Sequence, residues 1–188
     1  MDIVDELERA LARTGRTVAG TRPDQLGLRT PCPDWDVRAL LNHIVGVNVF
    51  FGALVGGEGM PFQPGGAPPE LIGDDYVGAY DRSVHVALDA YRAHGALQRV
   101  VHAPIGDLPG NVAVGINLVD NLGHGWDLAR ATDQDASIDD DLAEFALALA
   151  HQVVRDEFRN GQAFGAVVPV PEDAPMTDRL VAFLGRHP

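Results

Sequence analysis

The segment from Trp35 to about Val55 (WDVRALLNHIVGVNVFFGALV) is apolar around most of its circumference. A helix with one apolar stripe can lie on a surface, whereas a helix that is apolar on most sides has to be enclosed by other elements. That requirement calls for a central helix, and for further amphipathic helices to surround it. Pro31 and Pro33 punctuate the loop before it, and Asp34 is the expected N-cap, its carboxylate accepting a free N–H of the first turn. His43 sits in the middle of the segment, among Leu40, Leu41, Ile44 and Val45. A buried imidazole without a partner costs about 1–3 kcal/mol. His43 is therefore either a core histidine bonded to a backbone carbonyl or a ligand.

The surrounding helices are readable. From Asp2 to about Ala19, Ile3, Val4, Leu7, Leu11 and Val18 recur at helical spacing, and Gly20 and Pro23 end the run. A third helix starts at Asp74 or Asp75 and runs to about His94. A fourth covers Gly110 to about Thr132, with Val112, Ile116, Val119, Leu122 and Trp126 on its apolar face. A fifth spans Asp139 to about Arg159, and a short last helix capped by Thr177 spans Asp178 to about Leu184. Residues 56–73 are rich in Gly and Pro and read as a long loop. Leu97 to Ala103 is ambiguous between strand and extended connection, and Pro104 to Gly110 reads as a turn. No internal repeat and no run of alternating strands is visible, so the fold class is all-α, a helical bundle. Its 188 residues suit one domain, 1–188, with a substantial core.

Charge excludes several partners. The net charge is −13 and the sequence pI about 4.7, which argues against nucleic-acid binding and against docking on anionic membranes. All 14 basic side chains counted as Lys or Arg are Arg. The lone cysteine, Cys32, cannot form an internal disulfide and fits a reducing cytoplasm. The charged N-terminus lacks the apolar core of a signal peptide.

The sharpest local pattern is DNLGHGWDLAR on the fourth helix. Asp120 and His124 are four apart, which sets both on one helix face with about 5–6 Å between Cβ atoms. A carboxylate oxygen and an imidazole nitrogen can converge on one ion from there, or simply pair with each other. His43 is the natural third donor. Two His and one carboxylate with open positions suit zinc, and also iron, nickel or manganese. Asp127, three residues past His124, either orients that imidazole as an acceptor or bonds Arg130 or the Trp35–Asp36 region.

Three separated segments carry a family resemblance. TPCPDWDVRALLNHIVG (Thr30 to Gly46) resembles the entry to the second helix of the mycothiol-dependent maleylpyruvate isomerase-like proteins, in the wider DinB/YfiT-like metal-binding superfamily. HGWDLARAT (His124 to Thr132) resembles that family's later metal-bearing helix. APMTDRLVAFLGRHP (Ala174 to Pro188) resembles the C-terminus of a single-domain actinobacterial subgroup. The resemblance implies a DinB-like four-helix bundle with an additional helix and a long C-terminal extended segment. It also implies a divalent metal ion, zinc first, held by His43, Asp120 and His124, and mycothiol as cosubstrate. Two departures stand out. The position of Asp120 is often Glu or His in the superfamily, and Asp has a shorter arm, so it ligates in a tighter site or acts through water. The isomerase itself carries a further C-terminal domain that contributes to its active site, and this chain ends without it.

The resulting expectation is a metal-dependent thiol S-transferase or isomerase acting on a small electrophile. The alternatives are a non-catalytic metal-binding or stress-associated protein and a metal-dependent hydrolase; a homodimer is open. Trp35 and Trp126 are expected to be core anchors, and Cys32 a small packed residue with a reactive thiol as the alternative. The 56–73 loop and Arg82 are candidate gatekeepers. His85 and His94 are expected at the surface, His151 at an interface or in the core, His187 in the tail, and His102 in a connection that reaches the site only at a stretch. The acidic run Asp139, Asp140 and Asp141 is explained by a helix start.

Overall fold

In a computed structural model, which describes residues 2–62, 69–104, 106–156, 159 and 164–188, helix α1 (Ile3–Gly20) opens on Asp2, whose carboxylate accepts the Val4 N–H at 2.8 Å. Its Val4, Leu7, Leu11 and Val18 form the buried stripe that the spacing predicts. Helices α2 (Val37–Gly56), α3 (Tyr76–Arg92) and α4 (Gly110–Ala131) complete a four-helix bundle. Around the ring α1 neighbours α4, α4 neighbours α2, α2 neighbours α3 and α3 returns to α1. Helix α5 (Asp140–Val153) packs on α4, and the short α6 (Met176–Phe183) packs on α5. The all-α bundle is therefore the expected one, with two helices added to the ring.

Several boundaries differ from the sequence reading. Helix α2 is capped by Asp36, which accepts the Ala39 N–H, and not by Asp34. The reason lies in Thr30, whose hydroxyl contacts the Cys32 and Trp35 carbonyls and accepts the Cys32 N–H. Residues 30–35 are thus held as a turn that runs two residues further. Helix α5 stops at Val153, and Val154 is extended and buried. Thr177 lies inside α6, where its hydroxyl exchanges hydrogen bonds with both the N–H and the C=O of Ile138. The ambiguous stretch holds a 3-10 turn (Ala96–Gln98) and strand β1 (Val100–Ala103), which pairs antiparallel with β2 (Gly106–Pro109), Val100 opposite Pro109.

Helix α2 has a mean hydropathy of 1.7 and is, among the described residues, the one helix long and apolar enough to cross a membrane. Here 67% of that stretch is buried by the rest of the bundle, the enclosure its composition demands. Helix α4 is enclosed still more completely, and the amide groups of its buried asparagines find acceptors. Asn117 donates to the Tyr91 hydroxyl at 2.7 Å, and Asn121 donates to Asn48 Oδ1 at 2.9 Å. Asn48 donates to Ser83, and Thr14 donates to the Asn121 carbonyl. These bonds fix the rotation of α4 against α1, α2 and α3. One step round the helix, Asp120 and His124 are thereby turned toward α2.

Replacing Asn121 with alanine should strip Asn48 of a donor and destabilise the protein by about 1–3 kcal/mol. Urea denaturation measures it; an unchanged midpoint would mean that the polar contacts do not set the register of α4.

Candidate metal centre

The adjacency of α2 and α4 brings His43, Asp120 and His124 together. Asp120 Oδ1 lies 3.4 Å from His43 Nε2 and 3.6 Å from His124 Nε2. Both separations exceed the usual N–H···O range of about 2.7–3.2 Å. They are close to the spacing of donors about a common ion, because tetrahedral ligands at roughly 2.0–2.1 Å stand about 3.3–3.5 Å apart. The other oxygen, Asp120 Oδ2, is buried with no hydrogen-bond partner among the described residues. A buried carboxylate oxygen left without a donor is costly, and a cation bound by the carboxylate would offset that cost by balancing its charge. The shorter arm of Asp120 still reaches both imidazoles.

Asp127 supports His124 from behind. Its Oδ2 lies 3.0 Å from His124 Nδ1, and the carboxylate is fully buried. With Nδ1–H donating to Asp127, the lone pair of His124 sits on Nε2, the nitrogen that faces Asp120. Asp127 also receives Arg186, Nη2 at 2.8 Å and Nε at 3.2 Å, and the Cys32 thiol at 3.3 Å. Burial pushes the Asp127 carboxyl up, but the His124 hydrogen bond and the Arg186 charge outweigh it and hold it well below the usual range. Asp120 behaves alike: burial raises it, and His124, His43 and Arg186 together bring it below its ordinary value. Burial lowers His124, which favours the neutral imidazole a metal needs.

A second trio, Cys32, His124 and Asp127, also has donor atoms within 4.8 Å of one another. It is the poorer cation site. The Arg186 guanidinium already neutralises Asp127 and would repel an ion there. The Cys32 thiol is pushed up to about 12 by burial and by the Asp127 charge, so it stays protonated. The N-terminus of α2 does not make it a thiolate.

Trp35 is not the core anchor expected. It is half-buried, and its ring stands 4.4 Å from that of His43 and 5.5 Å from that of His124, centroid to centroid. Trp126 is buried, with the Arg130 guanidinium 5.4 Å from its ring. A cavity of about 500 Å³ opens over the cluster, walled by the 31–35 turn, α2, α4, Val153 and the chain segments at 164–165 and 184–186. The side chains of His43 and Asp120 keep 27% and 23% of their exposure there.

Arg186 is the functional residue that sequence reasoning missed. It follows Gly185, which ends α6 in the left-handed region at φ 89°. A Cβ at Gly185 would lie 2.6 Å from Gly165 Cα, so only glycine lets the two backbones cross and the tail fold back. The other candidates stay apart. Arg82 is exposed and pairs with Asp75. His85, His94 and His187 are exposed, His102 is exposed and pairs with Asp107, and His151 is exposed and packs on Phe183. Of the 56–73 loop, the described residues 56–62 and 69–73 do not line the cavity; the remainder, 63–68, falls outside the described residues. Asp139 and Asp141 pair with Arg9 at the start of α5.

Comparison with known proteins adds three findings. The model of the family described as "Mycothiol maleylpyruvate isomerase N-terminal domain" matches residues 7–129. The uncharacterized proteins Rv0738 and MT0763, from two strains of Mycobacterium tuberculosis, are each 36% identical over 187 residues, covering 99% of this chain and 98% of theirs. The crystal structure of the mycothiol-dependent maleylpyruvate isomerase superposes with a TM-score of 0.60 at 17% identity, covering 79% of this chain and 68% of that one. A histidine-to-alanine variant of that enzyme gives 0.62 at 18%. At these identities the structural likeness concerns the fold.

Arg186→Ala should leave the Asp127 charge buried and short of a donor, at a cost of about 3–5 kcal/mol. Because the Asp127 carboxyl is depressed in the folded protein, its contribution is present above the unfolded carboxylate value of about 3.9 and is lost as the pH falls through the folded value. The acid side of the wild-type stability profile should accordingly be steeper than that of Arg186→Ala. Parallel profiles would show that the pair is not coupled to folding. For Cys32, alkylation by iodoacetamide at pH 8 should be far slower in the folded protein than in urea; equal rates would contradict a protonated, enclosed thiol.

Proposed function

The chain belongs to the mycothiol maleylpyruvate isomerase N-terminal domain family, and on that premise we propose that it performs thiol-dependent isomerisation or transfer on a small electrophile at a divalent metal held by His43, Asp120 and His124. The supporting observation is Asp120, whose Oδ1 stands between two imidazole nitrogens at 3.4 and 3.6 Å while its Oδ2 is buried unpartnered. Two nitrogens and one carboxylate oxygen suit zinc best, with nickel, iron or manganese as alternatives. When bound, such an ion acts as a Lewis acid that lowers the pKa of a coordinated thiol into the neutral range.

The residues divide the remaining work. Asp127 holds the Nδ1 proton of His124 and so keeps Nε2 free to ligate. Arg186 neutralises Asp127, leaving Asp120 as the carboxylate that balances the ion. Trp35 covers the imidazoles on one side and excludes water there. Cys32 keeps its proton and does not compete with an incoming thiol. A structural ion would be closed off, whereas the exposure of His43 and Asp120 leaves a face open to the cavity. Mycothiol, the thiol in the family's name, is the cosubstrate proposed. Such chemistry belongs to the reducing cytoplasm, where a small thiol stays reduced.

Metal analysis and calorimetry test this reading. The purified protein should carry or take up one zinc per chain and bind mycothiol only when zinc is present. His43→Ala and His124→Ala should each weaken zinc binding by about 100-fold or more while retaining the helical circular dichroism spectrum. A zinc-loaded protein with no measurable thiol binding would sink the proposal.

A further inference from the structure

We infer that the cavity holds a subsite for an apolar arm, so that the electrophile carries an alkyl or aryl group reaching away from its reacting end. This deepens the function proposed above by naming the class of electrophile. It rests on that reading for where the reacting end lies, but not for the binding of the arm.

The lining of the cavity is divided along the helices. Its polar side chains belong to the 31–35 turn, to the His43–Asp120–His124 cluster and to Arg186. Phe51 stands eight residues along α2 from His43, and Ile116 stands eight residues along α4 from His124. On a helix rising about 1.5 Å per residue, that separation is about 12 Å. Both residues line the same cavity, so they mark its far end, with Val119 between Ile116 and His124. Leu149 of α5 lies against Gly115 of α4, 3.7 Å from where a Cβ would stand. That contact brings the last turn of α5, with Val153, to the level of Ile116, and Val153 also lines the cavity.

Apolar side chains that face an open cavity mark a ligand groove, and hydrocarbon laid on them gains in proportion to the area it removes from water. The reacting end does not lie there, because the imidazoles and the carboxylate of the cluster are at the other end. A carboxylate or carbonyl on the electrophile therefore stays beside the cluster and Arg186. The chain beyond it runs along α2 and α4 toward Phe51 and Ile116. A short acid fills the near end alone, whereas an acid with a hydrocarbon tail fills both.

Calorimetry on metal-free and zinc-loaded wild-type protein tests the inference with a homologous series: crotonate, trans-hexenoate and trans-octenoate, each unsaturated next to the carboxylate. A fully buried methylene is worth about fourfold in affinity, so each step of the series should tighten binding by at least about fivefold. The arm sets the size of the step and not the absolute affinity, so the step should be the same with and without zinc. Ile116→Asn puts an uncharged polar group on a half-buried part of the wall and should cut the step to about twofold or less. Val153→Asn serves if the first variant loses its helical spectrum. Equal affinities across the series, no binding of octenoate to the wild type, or an undiminished step in a folded variant overturns the inference. Zinc content and mycothiol binding measured on the same samples separate the two ideas. A full step in protein that takes up no zinc defeats the metal reading alone, and a flat series in protein that holds zinc and binds mycothiol defeats the apolar arm alone.

Discussion

Helix α4 is enclosed on nearly every side, and the organisation of the site follows from that constraint. A buried helix cannot leave its polar side chains to water, so each must meet a partner from another element. Asn117 and Asn121 meet Tyr91 and Asn48. Asp127 meets Arg186 and His124. Asp120 is only half satisfied, with one oxygen between two imidazoles and the other buried alone. Asn121 Oδ1 is also buried without a partner among the described residues, but only Asp120 carries a charge and has two imidazoles beside it, and that marks where an outside cation belongs.

Two carboxylates seven residues apart on the same helix thus have different roles, and their neighbours decide which. Asp127 lies beside a guanidinium that cancels its charge and leaves it to orient an imidazole. Among the described residues Asp120 has no guanidinium in hydrogen-bond contact, and it faces the Nε2 atoms of His43 and His124. Burial and the negative charge of Asp127 account for Cys32: both disfavour the thiolate, so the thiol remains a weak donor to that carboxylate. The ion pair of Asp127 with Arg186 holds the guanidinium at the cavity wall.

Much of this was legible in the sequence. The circumference of α2 demanded enclosure, and a helix-long apolar pattern cannot arise from a surface element. The four-residue spacing of Asp120 and His124 fixed their common face, and the family motifs supplied His43 as the partner. Asp127 was recognised as an acceptor three residues on, with its alternatives open. Arg186 was not legible, because its contact with Asp127 spans 59 residues of chain and depends on a backbone crossing. The one local sign was a glycine at the end of α6 followed by an arginine, which tells that the chain turns but not where it lands. Trp35 was misjudged because its placement depends on Thr30 holding residues 30–35 as a turn, and that delays the helix and swings the ring onto the imidazoles. The β1–β2 hairpin was hidden for a similar reason: strands of four residues with one buried position each carry too little alternation to read.

The closeness of the Trp35 ring to those of His43 and His124 gives the protein a built-in optical probe. Indole emission is quenched by a nearby protonated imidazole and by open-shell metal ions, and it shifts to shorter wavelength as water leaves the ring. Trp126, the other indole in the sequence, is buried beneath Arg130, away from the cavity lining. Its emission therefore forms a steady background. Changes in the intrinsic fluorescence of the unlabelled protein will follow the occupancy of one face of one cluster, so the filling of the cavity, and whether a bound ion is open-shell, can be read from light alone.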